Sequence, residues 1–350
     1  MLGKVNTRVK INKIYNTINS EKVMPYIFVL PFIITFLVFF LYPIISALIM
    51  SFQDIKGPGD ITFIGLQNYR NLLNPHFYTA LRVSFIYTFL TIAILIPLPL
   101  VLAVLLNNKL LRGRNIFRSA LFIPALTSVI VAGMFFRYAF GGQVTAIANQ
   151  IRGIFGLGPI TWLQGRSTGM LALVMLCVWR WLGVNIVYFL SGLQGISKEL
   201  YESAEIDGAN SLQKFLRITI PSLKQVIIYV TTISIYGGLS MFTESYAYWT
   251  SRSPGDIGLT IVGYIYQTGF NKNDFGYASA IGIILLLIIM AVVIIQLKLF
   301  GFFKLIMSNC ICKLIPFLNN SWPGLNEDTN MKKNGAKNII LKSVNIINGI

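Results

Sequence analysis

The chain has 350 residues, of which 55% are hydrophobic and only 12% are charged, and its mean hydropathy is +0.68. Because a soluble domain carries about 25% charged residues, this composition excludes an ordinary soluble protein and indicates a chain that crosses a membrane several times. The formal net charge of +17 does not indicate a nucleic-acid partner, since lysine and arginine flank apolar runs instead of forming one basic face. The few cysteines predict no disulfide framework.

The N-terminal part predicts a basic arm followed by a membrane span and a loop. Residues 1–24 are basic with apolar residues at helical spacing, which predicts either a cytoplasmic arm on an anionic leaflet or a disordered lead-in. The apolar run 25–50 exceeds the ~20 residues that cross the hydrocarbon core and predicts a retained first span. Residues 51–78 predict an external loop, and His76 within it has no neighbouring ligand cluster, so it predicts an incidental surface residue instead of a metal ligand.

Five further apolar runs predict membrane spans, at about residues 80–106, 119–139, 168–190, 225–248 and 278–299. Pro124 falls inside the third predicted span, 119–139, where a membrane helix tolerates proline. Lysine and arginine are most frequent before the first span, between the second and third, between the fourth and fifth, and after the sixth. This asymmetry predicts that both termini are cytoplasmic.

Residues 194–223 form a charge-rich segment between two apolar spans. Ser197 can cap a first short helix, and Gly208 suits the end of that helix. Asn210 or Ser211 can cap a second helix. The segment therefore predicts a helix–turn–helix outside the membrane that is available for contact with another protein.

The motif within this segment resembles a known family. Glu202-Ser203-Ala204, then Gly208, then Ile218-Thr219-Ile220-Pro221 are similar to the "EAA" loop of permeases of binding-protein-dependent ABC importers, and Ile206-Asp207-Gly208-Ala209 resembles the carbohydrate-uptake branch. Ser203 and Ile220 depart from the usual alanine and leucine, both by small changes of size. The resemblance implies a coupling helix that docks on a cytoplasmic ATPase through Glu202, Ser203, Ala204, Asp207, Gly208, Ile218 and Pro221.

The resemblance covers roughly residues 25–300 and implies an all-α, polytopic fold with six transmembrane helices of the type I ABC importer permease kind. It implies the plasma membrane of a prokaryote as the location, with a second permease, a cytoplasmic ATPase dimer, an external solute-binding protein, the lipid bilayer and a sugar substrate as partners. The sequence has no Gly-x-x-x-x-Gly-Lys motif, so ATP is expected on the ATPase subunits and no cofactor or metal on this chain. The cytoplasmic tail 301–350 has no assigned role, and Cys310 and Cys312 within it favour apolar packing over metal binding.

Polar residues inside apolar spans are costly and are candidates for function. Glu244 near the outer end of the fifth span is the first candidate for a substrate pathway, and Trp179, Arg180, Asn185 and Tyr246 join it because aromatic rings stack on sugars while polar groups bond hydroxyls. The alternative interpretation is that Arg180 and Glu244 pair with each other or with a partner helix, and that tyrosine lies in the interfacial belt.

These observations predict a permease subunit, not an enzyme, of an ATP-driven importer for sugars or related polyols. The alternatives are an ABC permease for glycerophosphate, amino acids or peptides, or a self-sufficient secondary transporter. A secondary transporter would need coupling-ion residues in broken helices and paired repeats, and an intramembrane enzyme would need a catalytic set. The sequence offers neither clearly.

Overall fold

The computed structural model describes residues 23–57, 59–108, 111–250 and 253–301. The tail 302–350, with Cys310 and Cys312, and nearly all of the predicted arm 1–24 lie outside the described residues. The chain divides into one compact unit, residues 1–293, and a second unit, residues 294–350.

The described chain is built from helices and one small hairpin. In chain order the helices are α1 (Met24–Met50), α2 (Gln67–Asn71), α3 (Pro75–Asn107), α4 (Arg114–Leu126), α5 (Val129–Ala139), α6 (Ile147–Ile154), α7 (Arg166–Gln194), α8 (Lys198–Ile206), α9 (211–222), α10 (Lys224–Trp249), α11 (261–271) and α12 (Phe275–Leu299). Five of the described helices, α1, α3, α7, α10 and α12, are long and apolar enough to cross a membrane, and α4 with α5 provides a sixth, bent candidate. The all-α, multi-span fold predicted from the sequence is confirmed.

The third predicted span, residues 119–139, differs from a straight helix. Helices α4 and α5 meet at 97°, because Thr127 and Ser128 both adopt extended backbone angles between them. The Thr127 hydroxyl donates to the Pro124 carbonyl at 2.6 Å and so closes the last turn of α4. A local cap therefore ends the first helix before the second begins, and hydropathy alone carries no sign of that change of direction.

The predicted external loop 51–78 contains an antiparallel hairpin that the sequence analysis did not predict. Strands β1 (Gln53–Gly57) and β2 (Asp60–Phe63) pair with Gln53 opposite Phe63, and the register is irregular near the turn. Gly276, at the start of α12, lies so close to the Gln53 carbonyl that a β-carbon would collide with it. The amide of Asn68 also donates to this carbonyl, at 2.9 Å. The hairpin is thus fixed against the beginning of the last span.

Helix α7 lies at the centre of the first unit. Half of its most apolar window is buried, the largest share among the candidate spans of the described chain. Leu173, Leu176 and Phe189 along it are fully buried, and they belong to clusters shared with α3, α5 and α10. Tyr248 of α10 donates its hydroxyl to the Ala172 carbonyl at 3.0 Å. Helix α1, in contrast, contains no buried residue.

His76 is not the incidental residue expected from the sequence. Its Nδ1 lies 2.8 Å from Oδ2 of Asp256, with the histidine side chain half-exposed and the aspartate largely buried. The contact joins the first turn of α3 to the short turn Pro254–Asp256. Among the described residues no group of three or more histidine, cysteine or acidic side chains could hold a metal ion.

Candidate functional site

Helix α8 begins and ends where the sequence motif predicts. The Ser197 hydroxyl accepts the Glu199 N–H, which places an acidic residue in the first turn where the helix dipole favours it. At the other end Gly208 has φ +77°, its N–H donates to the Glu205 carbonyl at 3.0 Å, and the Ala209 N–H donates to the Ala204 carbonyl at 2.8 Å. These two bonds form a Schellman termination, which favours glycine at the left-handed position.

Helix α9 starts immediately afterwards with a reciprocal cap. The Asn210 side chain accepts the Gln213 N–H and the Gln213 side chain accepts the Asn210 N–H, each at 2.9 Å. Residues 215–219 then form a π-helical turn before Pro221, whose missing N–H cannot bond to the Arg217 carbonyl one turn back. Since only the turn 207–210 separates the two helices, they form one compact unit, the coupling hairpin (198–222).

Two side-chain contacts bind the helices of the coupling hairpin to each other. The hydroxyls of Tyr201 and Thr219 lie 2.9 Å apart, with Thr219 buried. Lys214 Nζ lies 2.6 Å from Oε1 of Glu205. The exposed ion pair contributes little stability by itself. Together with the caps and the hydroxyl contact, it restricts the movement of α8 relative to α9.

The residues predicted for ATPase coupling fall on different parts of the hairpin. Glu202, Ser203, Asp207, Gly208 and Pro221 are exposed, whereas Ala204 and Ile218 are half-buried. The outer side of α8 therefore carries Glu202 and Ser203, whereas Ala204 is turned partly toward the protein.

An apolar residue that the sequence analysis did not select also lies on this outer side. Ile206 is 88% exposed, four residues after Glu202 and hence on the same helical face. This large exposed side chain at the end of α8 is therefore a candidate for contact with another protein. In the sequence, its spacing of four residues from Glu202 indicates that the two side chains share a helical face.

The coupling hairpin is joined directly to two walls of a cavity. Its N-terminal end follows α7 by a short turn, and its C-terminal end leads into α10 at Lys224. Between α3, α7 and α10 lies a cavity of about 450 Å³. The cavity is lined by hydroxyl, amide, carboxylate and aromatic groups as well as apolar ones, including Tyr87, Thr91, Trp181, Asn185, Ser234, Ser240, Thr243 and Glu244.

The lining of this cavity includes a break in α10. The helix is interrupted between Leu239 and Thr243, and the residues of this interruption, 240–242, line the cavity. Irregular backbone at membrane depth is tolerated where it lines a cavity, because its polar groups are then not exposed to lipid. Glu244 follows in the first turn of the second helical segment.

Arg180 and Glu244, two of the predicted pathway residues, form an ion pair. Arg180 Nη1 lies 3.3 Å from Oε1 of Glu244, and the two side chains are 15% and 14% exposed. Arg180 Nε is buried and has no hydrogen-bond partner among the described residues. The Arg180 guanidinium also lies 5.8 Å from the ring centroid of Trp181. The pair joins α7 to α10, with Glu244 on the cavity wall.

Asn185, also predicted for the pathway, lines the cavity but has a structural contact as well. Its Nδ2 donates to the Leu95 carbonyl at 3.0 Å. That carbonyl has no partner within α3, because the residue four positions later is Pro99, which lacks an N–H. A buried carbonyl without a partner is costly, so Asn185 compensates for the proline in the neighbouring span.

The remaining two candidates lie outside this cavity. Trp179 is packed against Phe136, with ring centroids 5.4 Å apart. Tyr246 contacts the rings of Phe242 and Tyr266 at 5.4 and 5.7 Å. Other lining residues were not predicted from the sequence, among them Tyr87 and Thr91, which are four residues apart, and Trp181, which precedes the predicted Asn185 by four residues. The sequence pattern that predicts such lining residues is the recurrence of polar or aromatic residues at helical spacing within an apolar span.

Comparison with known proteins places these features in one family. Residues 84–301, more than half of the chain, match the family described as "Binding-protein-dependent transport system inner membrane component". The matched region contains the coupling hairpin and all residues named above as lining the cavity.

Two curated relatives and one solved structure extend the comparison. The arabinooligosaccharides transport system permease protein AraP of Bacillus subtilis is 58% identical over 285 residues, covering 81% of this chain and 91% of that protein. The protein of the same name from Halalkalibacterium halodurans is 52% identical over 301 residues, with coverages of 86% and 95%. A bacterial ABC transporter that imports the acidic polysaccharide alginate shares the fold, with TM-score 0.71, 23% identity and coverages of 83% and 98%.

Proposed function

This chain belongs to the family of binding-protein-dependent transport system inner membrane components, and we propose that it forms half of the membrane pathway of an ATP-driven importer of sugars. Arabinooligosaccharides or chemically related oligosaccharides are the substrate class, a proposal supported by the 58% identity to a permease named for them. The family consists of transport components and not of enzymes, so the role of the chain is to move a solute and not to transform it.

The coupling hairpin is the proposed docking surface for an ATPase subunit that binds ATP. Glu202, Ser203 and Ile206 form the outer side of α8 and enter a groove on the ATPase, while Asp207 and Gly208 shape the adjoining turn. The exposed acidic groups suit a basic groove, and Ile206 supplies an apolar anchor. Ala204, Ile218 and Pro221 hold the hairpin in its shape from the half-buried side and from the entry to α10.

One observation supports this role most strongly: the hairpin connects α7 directly to α10, and both helices line the cavity. A displacement of the hairpin by closure of the ATPases therefore moves two cavity walls together. The caps, the Tyr201–Thr219 bond and the short turn restrict bending within the hairpin. Most of a displacement caused by ATPase closure is therefore passed on to α7 and α10. Nucleotide on one side and loaded binding protein on the other thus bias one two-state element.

The cavity between α3, α7 and α10 is the proposed sugar pathway. Its volume of about 450 Å³ falls in the ~300–1,000 Å³ range of small-molecule sites. Trp181 and Tyr87 offer aromatic surface, and Glu244 and Asn185 offer groups that bond hydroxyls. Arg180 acts through Glu244 by holding the carboxylate at the cavity wall, and Trp179 and Tyr246 support the neighbouring aromatic packing.

The assembly consists of this chain, a second permease, two ATPase subunits and an external solute-binding protein, in the plasma membrane of a prokaryote. Both termini and the coupling hairpin face the cytoplasm, in agreement with the distribution of lysine and arginine. ATP binds to the ATPase subunits.

The test is transport by the reconstituted importer in vesicles. We expect loaded binding protein to stimulate ATP hydrolysis, and labelled arabinooligosaccharide to accumulate only with ATP. Competition with maltose, glycerophosphate and an amino acid measures the substrate class. Accumulation without ATP would support a secondary transporter, and preference for a non-sugar solute would contradict the proposed substrate.

A further inference from the structure

Helix α6 exposes its apolar face and buries its polar face, which is the reverse of the usual arrangement for a surface helix. Ile147, Ile151 and Ile154 are spaced four and three residues apart and therefore share one face. Their exposed fractions are 48%, 53% and 81%, whereas Asn149 on the opposite face is only 4% exposed. A face of this kind in water would be unfavourable, since amphipathic surface helices bury the apolar side.

The orientation of α6 is fixed by its buried asparagine. Asn149 Nδ2 donates to the carbonyls of Gly141, Gln143 and Ile160 at 3.2, 2.9 and 3.1 Å. Its Oδ1 accepts the Ile160 N–H at 3.1 Å and the Trp162 Nε1–H at 2.9 Å. Because rotation of α6 would break these bonds within the protein, the isoleucine face remains directed outward.

The outward face of α6 continues an apolar surface on the preceding helix. Val131, Met134, Phe135 and Tyr138 of α5 share one face at helical spacing, and each is more than half exposed. Helix α5 is part of the bent membrane-span candidate and contacts α6. A stripe of this composition on a membrane-span candidate suits hydrocarbon, and α6 begins eight residues after this stripe's helix ends.

The charges around α6 suit an anionic headgroup layer. Residues 141–165 contain no aspartate or glutamate, and Arg152 is the charged residue among them. Its Nε donates to the Gly158 carbonyl at 3.0 Å, and its guanidinium lies 6.0 Å from the Trp162 ring centroid. Arginine and tryptophan together are typical of the boundary between headgroups and acyl chains.

We infer that α6 is an interfacial helix that binds the lipid surface, with Ile147, Ile151 and Ile154 inserted into the boundary between headgroups and acyl chains. The leaflet is the one opposite the coupling hairpin, because α7 crosses the membrane once between α6 and that hairpin. Amphipathic helices of this kind insert by about 5–10 Å.

The test measures the surroundings of single nitroxide labels in the assembled importer reconstituted in phospholipid vesicles. The native cysteines are replaced by alanine, and the label is placed through Ile151→Cys, through Ile154→Cys or, as a water-exposed control in the same segment, through Gln164→Cys. Collision rates with oxygen, which dissolves in lipid, are compared with those of a water-soluble nickel chelate. All three positions are exposed, so the labels do not disturb packing.

We expect the labels on α6 to collide with oxygen several-fold more than with nickel, and the control label to show the opposite preference. Equal nickel access at Ile151 and at the control would overturn the inference, because the face would then be in water. Low access to both reagents with an immobilised label would also overturn it, because a protein partner would then cover the face.

Discussion

Gly183 of α7 lies against the backbone carbonyl of Leu121 in α4, and the space between them cannot hold a β-carbon. Small residues permit such close approach between helices in membranes, where packing and not water release drives association. This contact fixes the first half of the bent span to the central helix.

Substitution Gly183→Ala is therefore expected to separate α4 from α7 and to destabilise the permease by about 1–3 kcal/mol, the usual cost of overpacking. Gly282 in α12 provides a matched control, because nothing lies within 4 Å of the position that a β-carbon would occupy there. Gly282→Ala should leave stability unchanged or slightly increased. Thermal unfolding of the purified complex measures both, and equal stability of the two variants would contradict the close contact.

Gly208→Val is expected to abolish coupling because its φ of +77° is unfavourable for a β-branched residue, although open space surrounds the glycine. The strain costs about 1–2 kcal/mol and is relieved by displacing α8. Uptake and ATP hydrolysis stimulated by binding protein should fall together, while insertion persists. Gly208→Asn is the control, since asparagine tolerates this conformation. Normal transport by Gly208→Val would show that this turn does not transmit the motion.

Asn185→Ala is expected to lower stability by about 1–3 kcal/mol, because the buried Leu95 carbonyl loses its donor. Pro99→Ala should return a backbone N–H to that carbonyl. In the Pro99→Ala background the asparagine substitution should then cost clearly less, as measured by thermal unfolding of the four variants. Identical losses in both backgrounds would show that Asn185 contributes in some way other than through Leu95.

Glu244→Gln is expected to reduce both uptake and the amount of assembled complex. The substitution leaves the largely buried Arg180 without its counter-charge, and removing one partner of a buried pair costs about 3–5 kcal/mol. The double variant Arg180→Met/Glu244→Gln removes both charges, so assembly should recover while uptake stays low. Recovery of uptake as well would mean that the carboxylate only neutralises Arg180 and does not contact sugar.

Opposite faces of the membrane are expected for the coupling hairpin and for the segment before α7. In intact cells, and without the native cysteines, a cysteine introduced by Ser211→Cys should resist a membrane-impermeant thiol reagent, whereas one introduced by Gln164→Cys should react. Both positions are exposed, so accessibility depends on the side of the membrane. The reverse pattern would invert the proposed orientation and remove the ATPase from the hairpin.

The sequence was most informative where the physical requirement is local. A span needs only enough consecutive apolar residues, and α1, α3, α7, α10 and α12 lie where such runs occur. Both ends of α8 and the start of α9 follow from Ser197, Gly208 and Asn210, whose backbone preferences do not depend on distant residues. These parts of the fold were predictable for that reason.

Features that depend on distant residues were not predictable in the same way. The bend after α4 depends on extended angles at Thr127 and Ser128, and the pair of Arg180 and Glu244 joins helices whose relative position the sequence does not state. Asn185 was selected as a polar residue in a span, yet its contact with Leu95 depends on a proline in another helix. Periodicity also identifies the isoleucine face of α6 but not that this face points outward.

Helix α1 buries none of its residues against the described part of its own chain. Its backbone is satisfied by internal hydrogen bonds, and its apolar side chains are soluble in hydrocarbon, so it needs no later helix in order to be stable in a bilayer. During synthesis this segment emerges before the other described spans. Helix α1 can therefore anchor the nascent chain in the membrane before Arg180, Glu244 and the other polar residues of the later spans are synthesised.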